Sequence, residues 1–152
     1  MIEFNGKTVW ITGASSGIGK AAAEFLSAKG FRVYGTGRNQ KINEQIRYSL
    51  IPVDVTKPET ITLAIDLILE KEGRLDVLVN NAGMGITGPI EDTPTSEMRK
   101  VFETNFFGAI DVMKAVLPQM RKQQSGTIIN ITSIAGYMGL PYRGVYSATK
   151  GA

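Results

Sequence analysis

Two side chains near the C-terminal end of the sequence could together transfer a proton. Tyr146 and Lys150 are four residues apart in the segment GVYSATKGA, and residues at this spacing lie on one side of a helix. A free tyrosine titrates near 10, which is too high for efficient proton exchange at neutral pH. An ammonium about 4 Å away stabilises a phenolate by on the order of 4 kcal/mol at an effective dielectric constant of 20. The pair therefore predicts general acid/base chemistry, although ordinary helix-surface pairs have the same spacing.

A glycine-rich segment, TGASSGIG at Thr12–Gly19, stands between a predicted strand and a predicted helix. There Gly13 would permit a tight turn, and Gly17 would let the backbone approach a pyrophosphate. Gly19 would let the helix pack closely against the sheet. The helix N-terminus would supply N–H groups and the positive end of its dipole. The segment predicts phosphate binding, and a turn needed only for packing is the alternative.

The composition excludes several classes of chemistry. The chain has no histidine and no cysteine, which rules out Ser-His-Asp catalysis, histidine-ligated zinc, thiolate chemistry and disulfides. A P-loop hydrolase is disfavoured because Ala14 and Ala21 stand where its motif needs a glycine and a hydroxyl residue. The charge of +3 is modest and scattered, so we predict no nucleic-acid partner and no metal site. With no membrane-length apolar run and no secretory signal, we predict a cytoplasmic protein without membrane contact.

Short runs rich in Val and Ile alternate with helical patterns along the chain. We expect strands at Thr8–Thr12, Arg32–Thr36, Leu50–Val53, Leu75–Val79 and Thr127–Ile131. We expect helices at Ile18–Lys29, Asn39–Tyr48, Pro58–Glu72 and Ser96–Gln123. This alternation predicts one α/β domain over residues 1–152, with a parallel sheet between two layers of helices and strands buried on both faces.

The helix predicted at Pro58–Glu72 has two local signals. Thr56 and Glu59 have the spacing of a capping box. An apolar stripe of helical period follows, at Ile61, Ala64, Ile65 and Ile68. We therefore expect Thr56 to cap the first turn and the stripe to pack on the sheet.

Taken together and in this order, the motifs resemble the short-chain dehydrogenase/reductase family. The resemblance covers the whole chain and lies in TGASSGIG, in NNAG at Asn80–Gly83, and in Asn105, Ser133, Tyr146 and Lys150. It implies a Rossmann-type doubly wound sheet, with strand order 3-2-1-4-5 for the strands present, and an NAD(P)-dependent oxidoreductase. A nucleotide-binding module without turnover is the alternative, which the intact set of Ser133, Tyr146 and Lys150 disfavours.

The end of the second strand predicts which cofactor is used. NAD-selective sites of this fold usually place an acid there against the ribose 2′-hydroxyl, whereas an arginine accommodates a 2′-phosphate. The segment YGTGRNQK contains no acid and places Arg38 after the strand, with Lys41 nearby. Arginine can bind phosphate through two parallel charge-assisted bonds. We therefore predict NADP(H) rather than NAD(H), and an exposed loop arginine is the alternative explanation.

The resemblance also implies roles for individual residues. Tyr146 would be the general acid/base of carbonyl reduction, and Ser133 would steady the substrate oxygen. Lys150 would bind the nicotinamide ribose, and Asn105 would hold a water in the proton relay. The predicted cofactor-binding residues are Gly13, Ser15, Ser16, Gly17, Ile18, Gly19, Arg38, Asp54, Val55, Asn81, Ala82, Tyr146 and Lys150.

Several positions also have simpler explanations. Thr132 could take the place of Ser133 on spacing alone, and Asn105 could make a local backbone bond or face solvent. Asp54 could be an acid that favours the start of the next helix. We expect Asn80 to tie neighbouring strands together.

Two loops, Gly83–Pro94 and Ile134–Gly144, are predicted to border the substrate. Their candidates for an apolar wall are Met84, Ile86, Tyr137, Met138 and Leu140. The resemblance implies an apolar ketone or secondary alcohol as substrate, and a homodimer or homotetramer when complete. Because family members continue beyond the Tyr–Lys helix, the end at Ala152 predicts a C-terminally incomplete form whose fifth strand is an exposed apolar edge.

Overall fold

The computed structural model describes residues 6–38 and 46–152, and its centre is one parallel sheet. The strands are β1 Thr8–Thr12, β2 Arg32–Gly37, β3 Ser49–Pro52, β4 Val77–Asn80 and β5 Thr127–Asn130. Their order is β3-β2-β1-β4-β5, which confirms the predicted Rossmann-type arrangement. The chain reverses its direction of travel across the sheet between β1 and β4, and folds of this type bind ligands in the crevice at that point.

Helices cover both faces of the sheet. They are α1 Gly17–Ala28, α2 Pro58–Glu72, α3 Thr95–Phe102, α4 Gly108–Gln123 and α5 Gly144–Gly151. A π-helical turn, Glu103–Phe107, joins α3 to α4, so the helix predicted at Ser96–Gln123 contains one irregular turn. A 3-10 turn, Ile134–Gly136, follows β5. Across the two described ranges, no helix has both the length and the apolar character needed to cross a membrane.

β1 is buried along its whole length, and its side chains alternate between two cores. Trp10 packs in one core with Ile68 of α2 and Val112 of α4. Ile11 lies in the other core with Ala23 of α1. Because both faces of β1 are buried, apolar residues are consecutive in its sequence and do not alternate with polar ones.

β5 differs from β1 because it lies at an edge of the sheet. Ile129 on this strand is 44% exposed, and most of the strand faces solvent. The prediction that the strands are buried on both faces is therefore wrong for β5, and also for β3 at the opposite edge. An edge strand has a neighbour on one side only, and the position of β5 agrees with the exposed apolar edge expected for the fifth strand.

Asp76 connects the amino ends of the central strands. Its Oδ2 accepts the N–H of Thr8 at 2.8 Å and the Nε–H of Arg74 at 3.0 Å. Burial by itself would raise the pKa of Asp76, but the hydrogen bonds from Arg74 and Thr8 and the positive charges of Arg74 and Lys7 outweigh it. The pKa of Asp76 therefore lies below its ordinary value, and the carboxylate stabilises the fold in its charged form.

The capping box predicted from Thr56 and Glu59 is wrong. Lys57 precedes the first turn of α2, and no side chain caps this helix. Thr56 instead donates its hydroxyl and its N–H to Oδ1 of Asp54, at 2.8 and 3.0 Å. The carboxylate of Asp54, two residues earlier in the chain, is a nearer hydrogen-bond partner for Thr56 than the N–H groups of the first turn of α2.

The helix predicted at Asn39–Tyr48 falls mostly on residues 39–45, which lie outside the described residues. Residues 46–48 are described and are not helical. Tyr48 is instead buried, and its hydroxyl donates to the carbonyl oxygen of Ala14 at 2.6 Å. This tyrosine therefore supports the loop that follows β1.

Candidate functional site

The loop between β1 and α1 depends on glycines, some for their backbone conformation and some because a side chain would not fit. Gly13 and Gly17 have φ angles of 68° and 56°, a region that glycine adopts without steric cost. A Cβ at Gly13 would lie 2.8 Å from the Cα of Ala82. A Cβ at Gly19 would lie 2.4 Å from both the carbonyl oxygen of Gly13 and the Nδ2 of Asn81. The close packing at Gly19 is thus against the glycine loop and Asn81, and not against the sheet as predicted.

Thr12 and Asn81 fasten the glycine loop to the end of β4. Thr12 Oγ1 accepts the N–H groups of Asn81 and Ala82, each at 3.0 Å. Asn81 Nδ2 donates to the carbonyl oxygens of Thr12 and Gly13, at 2.9 and 3.1 Å. Hydrogen bonds within the protein therefore fix the shape of the loop. The sequence analysis assigned no role to Thr12, and its place at the start of TGASSGIG was the only signal.

A cavity of about 780 Å³ opens beside this loop. It is lined by ten of the predicted cofactor-binding residues: Gly13, Ser15, Ser16, Gly17, Ile18, Arg38, Asp54, Val55, Asn81 and Ala82. Gly19 is not part of the lining. Three further lining residues, Lys100, Glu103 and Thr104, were not predicted, because the loop motif does not show which distant helix will close the cavity.

Two charged residues of this cavity, Arg38 and Asp54, follow strands β2 and β3. Arg38 follows β2, and no acid occupies residues 35–38. Burial opposes ionisation of Asp54, but its hydrogen bonds from Thr56 and the charges of Arg38 and Lys57 outweigh it and lower the pKa of this carboxyl. Lys41, the second predicted cation, lies outside the described residues.

The first turn of α1 begins at Gly17 beside the same cavity. Its N-cap residue, Ser16, has an extended backbone and its side chain makes no capping hydrogen bond. The N–H groups of a first helical turn lack partners within the helix. The glycine loop and α1 together can thus offer N–H donors and a positive dipole end to a phosphate.

A second cavity, of about 440 Å³, adjoins the first and shares Ile18, Asn81, Gly83 and Met84 with it. Its remaining lining includes Ser133, Tyr146, Lys150 and Arg143. Tyr146 and Lys150 lie on α5, as their spacing predicts. The structure therefore brings three of the predicted catalytic residues to one cavity, next to the glycine loop.

Hydrogen bonds and packing orient the groups in this second cavity. Lys150 Nζ donates to the carbonyl oxygen of Ile131 at 2.9 Å. Ser133 Oγ accepts the N–H of Ala135 at 3.2 Å, which leaves its hydroxyl hydrogen available to a ligand. The guanidinium of Arg143 lies 5.8 Å from the centre of the Tyr146 ring. Arg143 was not predicted, and it reaches the cavity only because α5 starts beside it.

Asn105 does not line either cavity and is only 8% exposed. Its Oδ1 accepts the N–H of Met84 at 2.8 Å, and its Nδ2 donates to the carbonyl oxygen of Met84 at 2.9 Å. Nδ2 also donates to Oγ1 of Thr149 at 3.0 Å. Both simpler explanations, a local bond and a solvent-facing position, are therefore wrong. Asn105 joins the π-helical turn to the loop after β4 and to α5, and its amide nitrogen has no hydrogen left for a relay water.

Asn80 ties two strands together, as the sequence predicts. Its Nδ2 donates to Oδ1 of Asn130 at 2.9 Å, across the β4–β5 pair. The same nitrogen donates to the carbonyl oxygen of Ala109 at 3.2 Å. These bonds hold the edge strand β5 against β4 and α4.

α5 is also positioned by a close approach between backbones. A Cβ at Gly136 would lie 2.3 Å from the carbonyl oxygen of Lys150 and 3.0 Å from the N of Gly151. Only a glycine lets the 3-10 turn and the end of α5 approach this closely. The segment after Ser133 and the segment containing Lys150 are therefore packed as one unit.

Comparison with known proteins agrees with this geometry. A family model described as "short chain dehydrogenase" matches residues 7–152. A 3-ketodihydrosphingosine reductase of Bacteroides thetaiotaomicron is 50% identical over 143 residues, which are 93% of this chain and 52% of that protein. The chain thus spans about half the length of this relative.

Solved structures have the same fold. ElxO with NADP bound superposes with a TM-score of 0.90 at 37% identity, over 96% of this chain and 63% of that one. An NAD+-bound xylitol dehydrogenase superposes with a TM-score of 0.92 at 34% identity, over 99% of this chain and 62% of that one. With the family model matching nearly the whole sequence, the chain belongs to the short-chain dehydrogenase/reductase family.

Proposed function

We propose that the protein is an NADP(H)-dependent oxidoreductase that acts on an apolar ketone or secondary alcohol, with Tyr146 as general acid/base. One observation supports this most directly. The cavity of the glycine loop and the cavity of Ser133, Tyr146 and Lys150 share four lining residues. A bound nucleotide and a substrate would thus lie next to each other.

The first cavity fits a nicotinamide dinucleotide. Gly13 and Gly19 remove side chains where a Cβ would collide, and the uncapped first turn of α1 suits a pyrophosphate. When bound, NADP(H) would supply or accept the hydride. Arg38, without a competing acid at the end of β2, would bind the 2′-phosphate. Since one similar structure contains NADP and another NAD+, the preference for NADP(H) rests on Arg38.

The second cavity contains the groups needed for proton transfer. The phenol of Tyr146 would give a proton to the carbonyl oxygen during reduction and take it back during oxidation. Ser133 has a free hydroxyl hydrogen and would donate it to the same oxygen. The Lys150 ammonium, held by Ile131, would stabilise negative charge on Tyr146 and bind the nicotinamide ribose. Asn105 would act as a positioning residue for α5 through Thr149.

The proposed substrate class rests on the apolar lining and on one relative. Met84, Ile18 and Leu140 are in the wall of the second cavity. The Bacteroides relative is named as a reductase of a ketone. We therefore propose an apolar ketone and its alcohol as the reacting pair. A homodimer or homotetramer and a cytoplasmic location stay predictions of the sequence.

The full-length protein tests this proposal in two steps. Titration of NADPH and NADH by fluorescence should give a dissociation constant about 10- to 150-fold lower for NADPH, since a hydrogen-bonded charge pair contributes roughly 1.5–3 kcal/mol. A panel of ketones should then be reduced with NADPH, followed at the nicotinamide absorbance. Cofactor binding without turnover of any ketone or alcohol would instead support a nucleotide-binding module.

A further inference from the structure

A cavity of about 420 Å³ lies at the other end of the sheet from the two cavities described above. Its lining includes Arg32 and Ser49, the first residues of β2 and β3. The cofactor cavity is instead lined by Gly37 and Val53, at and just after the carboxyl ends of the same strands. The distal cavity, as we call it, shares no lining residue with the cavities of the glycine loop and of Tyr146. The proposed reaction therefore gives it no role.

The distal cavity lies where β2 extends beyond its neighbour β3. Ser49, at the start of β3, pairs with Tyr34, so Arg32 and Val33 of β2 have no β3 residue opposite them. Residues 46–48, which precede β3, are not strand and line the cavity instead. The space is therefore bounded by regular sheet on one side and by an irregular segment on the other.

The charges in the wall of the distal cavity favour an anion. The charged lining residues are Arg32, Arg47 and Glu72, so cations outnumber acids. Glu72 already has partners, since its Oε2 accepts from Arg32 at 2.5 Å and its Oε1 accepts the hydroxyl of Tyr34 at 2.6 Å. Arg47 is exposed and has no ion pair or side-chain hydrogen bond within the described ranges. Its guanidinium is therefore available to a carboxylate or a phosphate.

Glu72 also holds Arg32 in position. The hydrogen bond from Tyr34 lowers the pKa of Glu72 although the carboxylate is partly buried, and the hydrogen bond and charge of Arg32 lower it further. The side chain of Glu72 is only 12% exposed. Because this bond uses one N–H of Arg32, the other N–H groups of the guanidinium remain for a ligand. Arg32 is thus a fixed donor beside the unpaired Arg47.

Apolar side chains form another part of the wall. They are Phe31, Val33, Ile46 and Tyr48, and Val33 and Tyr48 belong to the buried core on the α1 side of the sheet. Binding sites of small molecules commonly combine such apolar surface with a few polar groups that fix orientation. A ligand with an anionic group and a small apolar or aromatic body would use both parts of this wall. An inorganic anion would use the arginines alone.

Tyr48 connects the distal cavity with the glycine loop. Its hydroxyl donates to the carbonyl oxygen of Ala14 at 2.6 Å, and Ala14 follows Gly13 in that loop. The ring of Tyr48 packs against Gly35 of β2, where a Cβ would lie 2.6 Å from Cε2. A ligand in contact with Tyr48 is therefore one side chain away from the backbone proposed to bind the cofactor.

We propose that the distal cavity is an effector site, in which a small organic anion binds between Arg32 and Arg47 and, through Tyr48, increases the affinity of the glycine loop for NADPH. The bound anion would tie residues 46–48 to β2 and so restrict Tyr48 to the position in which it bonds Ala14. By linkage, NADPH would increase the affinity for the anion by the same factor. This inference rests on the proposed function for the identity of the cofactor alone.

Three probes test the inference on the full-length protein: phenyl phosphate, benzoate and inorganic phosphate. Calorimetric titration without cofactor measures their binding, and the tighter of the two organic anions identifies the preferred anionic group. Fluorescence titration of NADPH with and without the tighter organic anion then measures the coupling. We expect this anion to bind more tightly than inorganic phosphate and to lower the NADPH dissociation constant by at least about 5-fold. Absence of binding by both organic anions, or an unchanged NADPH dissociation constant, would overturn the inference.

Substitutions on the two sides of the cavity locate the effect. Arg47→Ala removes a charged donor and should weaken binding of the organic anion by at least about 10-fold. Arg121→Ala is the matched control, because Arg121 is an exposed arginine in the last turn of α4 that lines neither this cavity nor the two described above. Tyr48→Phe keeps the ring in the wall but removes the bond to Ala14. It should bind the anion within about 3-fold of the wild type, while the effect of the anion on NADPH affinity disappears.

Three other results would also overturn the inference. If the anion raises the NADPH dissociation constant, and this effect is lost in Arg38→Ala but kept in Arg47→Ala, the anion occupies the phosphate site of the cofactor. If Arg121→Ala weakens anion binding as much as Arg47→Ala does, binding is not local to the distal cavity. If the coupling persists in Tyr48→Phe, it does not pass through the bond to Ala14. A wild-type protein that binds no NADPH would contradict the proposed function instead, and calorimetry would still measure anion binding at the distal cavity.

Discussion

The glycine loop and helix α5 meet at adjoining cavities, but they are held in place by different means. The glycine loop follows β1, whose five residues are all buried, and the Thr12–Asn81 bonds fasten its backbone. α5 packs on the 3-10 turn and the π-helical turn, and it does not have a fully buried strand such as β1 beneath it. It depends on separate tertiary contacts at Ile131, Asn105 and Gly136.

The two kinds of support suit the two functions proposed for these regions, phosphate binding at the loop and proton transfer at α5. Phosphate binding uses backbone N–H groups, which need a rigid backbone conformation, and strands buried on both faces supply it. Proton transfer uses side chains, whose positions depend on how a helix docks on its neighbours. We therefore expect changes in the loop to reduce cofactor affinity and changes around α5 to reduce turnover.

Tyr146→Phe should have the largest effect on turnover. If it left turnover unchanged, the distinction between a loop that binds cofactor and a helix that transfers protons would be wrong. The variant keeps the ring but has no transferable proton, so kcat for ketone reduction should fall about 10²- to 10⁴-fold. The dissociation constant for NADPH should change less than about 3-fold. Tyr137→Phe is the control and should behave as the wild type does, because Tyr137 is 92% exposed and lines neither the cofactor cavity nor the cavity of Tyr146, contrary to its prediction as part of the substrate wall. A Tyr146→Phe enzyme with more than about a tenth of wild-type kcat would contradict the role of Tyr146.

Arg38→Asp should act on the cofactor side alone. It replaces the cation proposed to bind the 2′-phosphate with a carboxylate, which repels phosphate and can accept a hydrogen bond from a ribose hydroxyl. The preference for NADPH over NADH should shift by about 10- to 150-fold, equivalent to roughly 1.5–3 kcal/mol. Arg47→Asp makes the same charge change at an exposed arginine outside the cavity. Dissociation constants that are equal in both variants would remove the basis for the predicted NADP(H) preference.

A matched pair of glycine substitutions would test whether the loop controls cofactor affinity and α5 controls turnover. Gly19→Ala crowds the loop, and Gly136→Ala crowds α5, each at an overpacking cost of about 1–3 kcal/mol. We expect Gly19→Ala to weaken NADPH binding about 5- to 150-fold. Gly136→Ala should lower kcat while NADPH affinity stays within about 3-fold.

Gly139→Ala is the control for this pair, because a Cβ at Gly139 would meet no atom within 4 Å. Titration of NADPH and steady-state kinetics, with circular dichroism to verify folding, separate the two effects. If both substitutions weakened NADPH binding equally, the loop and α5 would not be independent units.

Asp76→Asn should have the smallest effect and concerns the scaffold that both regions share. The pKa of Asp76 is lowered in the folded state from an ordinary value of 3.8. Its charged form therefore stabilises the fold above about pH 4, and this contribution is lost as the pH falls through the lowered pKa. At pH 7 the variant should lose about 1 kcal/mol of unfolding free energy, the difference between a charged and a neutral hydrogen bond.

Urea unfolding at pH 7 and in steps below pH 4 measures this effect. The difference between wild type and Asp76→Asn should shrink as the pH is lowered. Asp66→Asn, at an exposed position on α2, should show no such trend. A difference that persists unchanged at low pH would show that the charge of Asp76 does not stabilise the fold.

Local patterns in the sequence were sufficient to predict the sheet and the loop. Val- and Ile-rich runs between helical patterns predicted the five strands, because burial and turn chemistry act over a few residues. The order of the strands followed from the resemblance to the family and not from these local patterns. The spacing of Tyr146 and Lys150 predicted that they share a helix side, since helical geometry fixes that relation. The capping box failed because two local partners competed for Thr56, and the pattern alone does not rank them.

Contacts between distant residues were decided only by the tertiary structure. Asn81 and Thr12 are 69 positions apart, and Asn105 and Thr149 are 44 apart. No spacing rule relates such residues, because their distance depends on how the whole sheet and its helices pack. The sequence determined which groups could bind phosphate and transfer a proton. The packing of β4, the π-helical turn and α5 decided that Asn105 lies outside both cavities, bonded to Met84 and Thr149, and that Arg143 lies beside the ring of Tyr146.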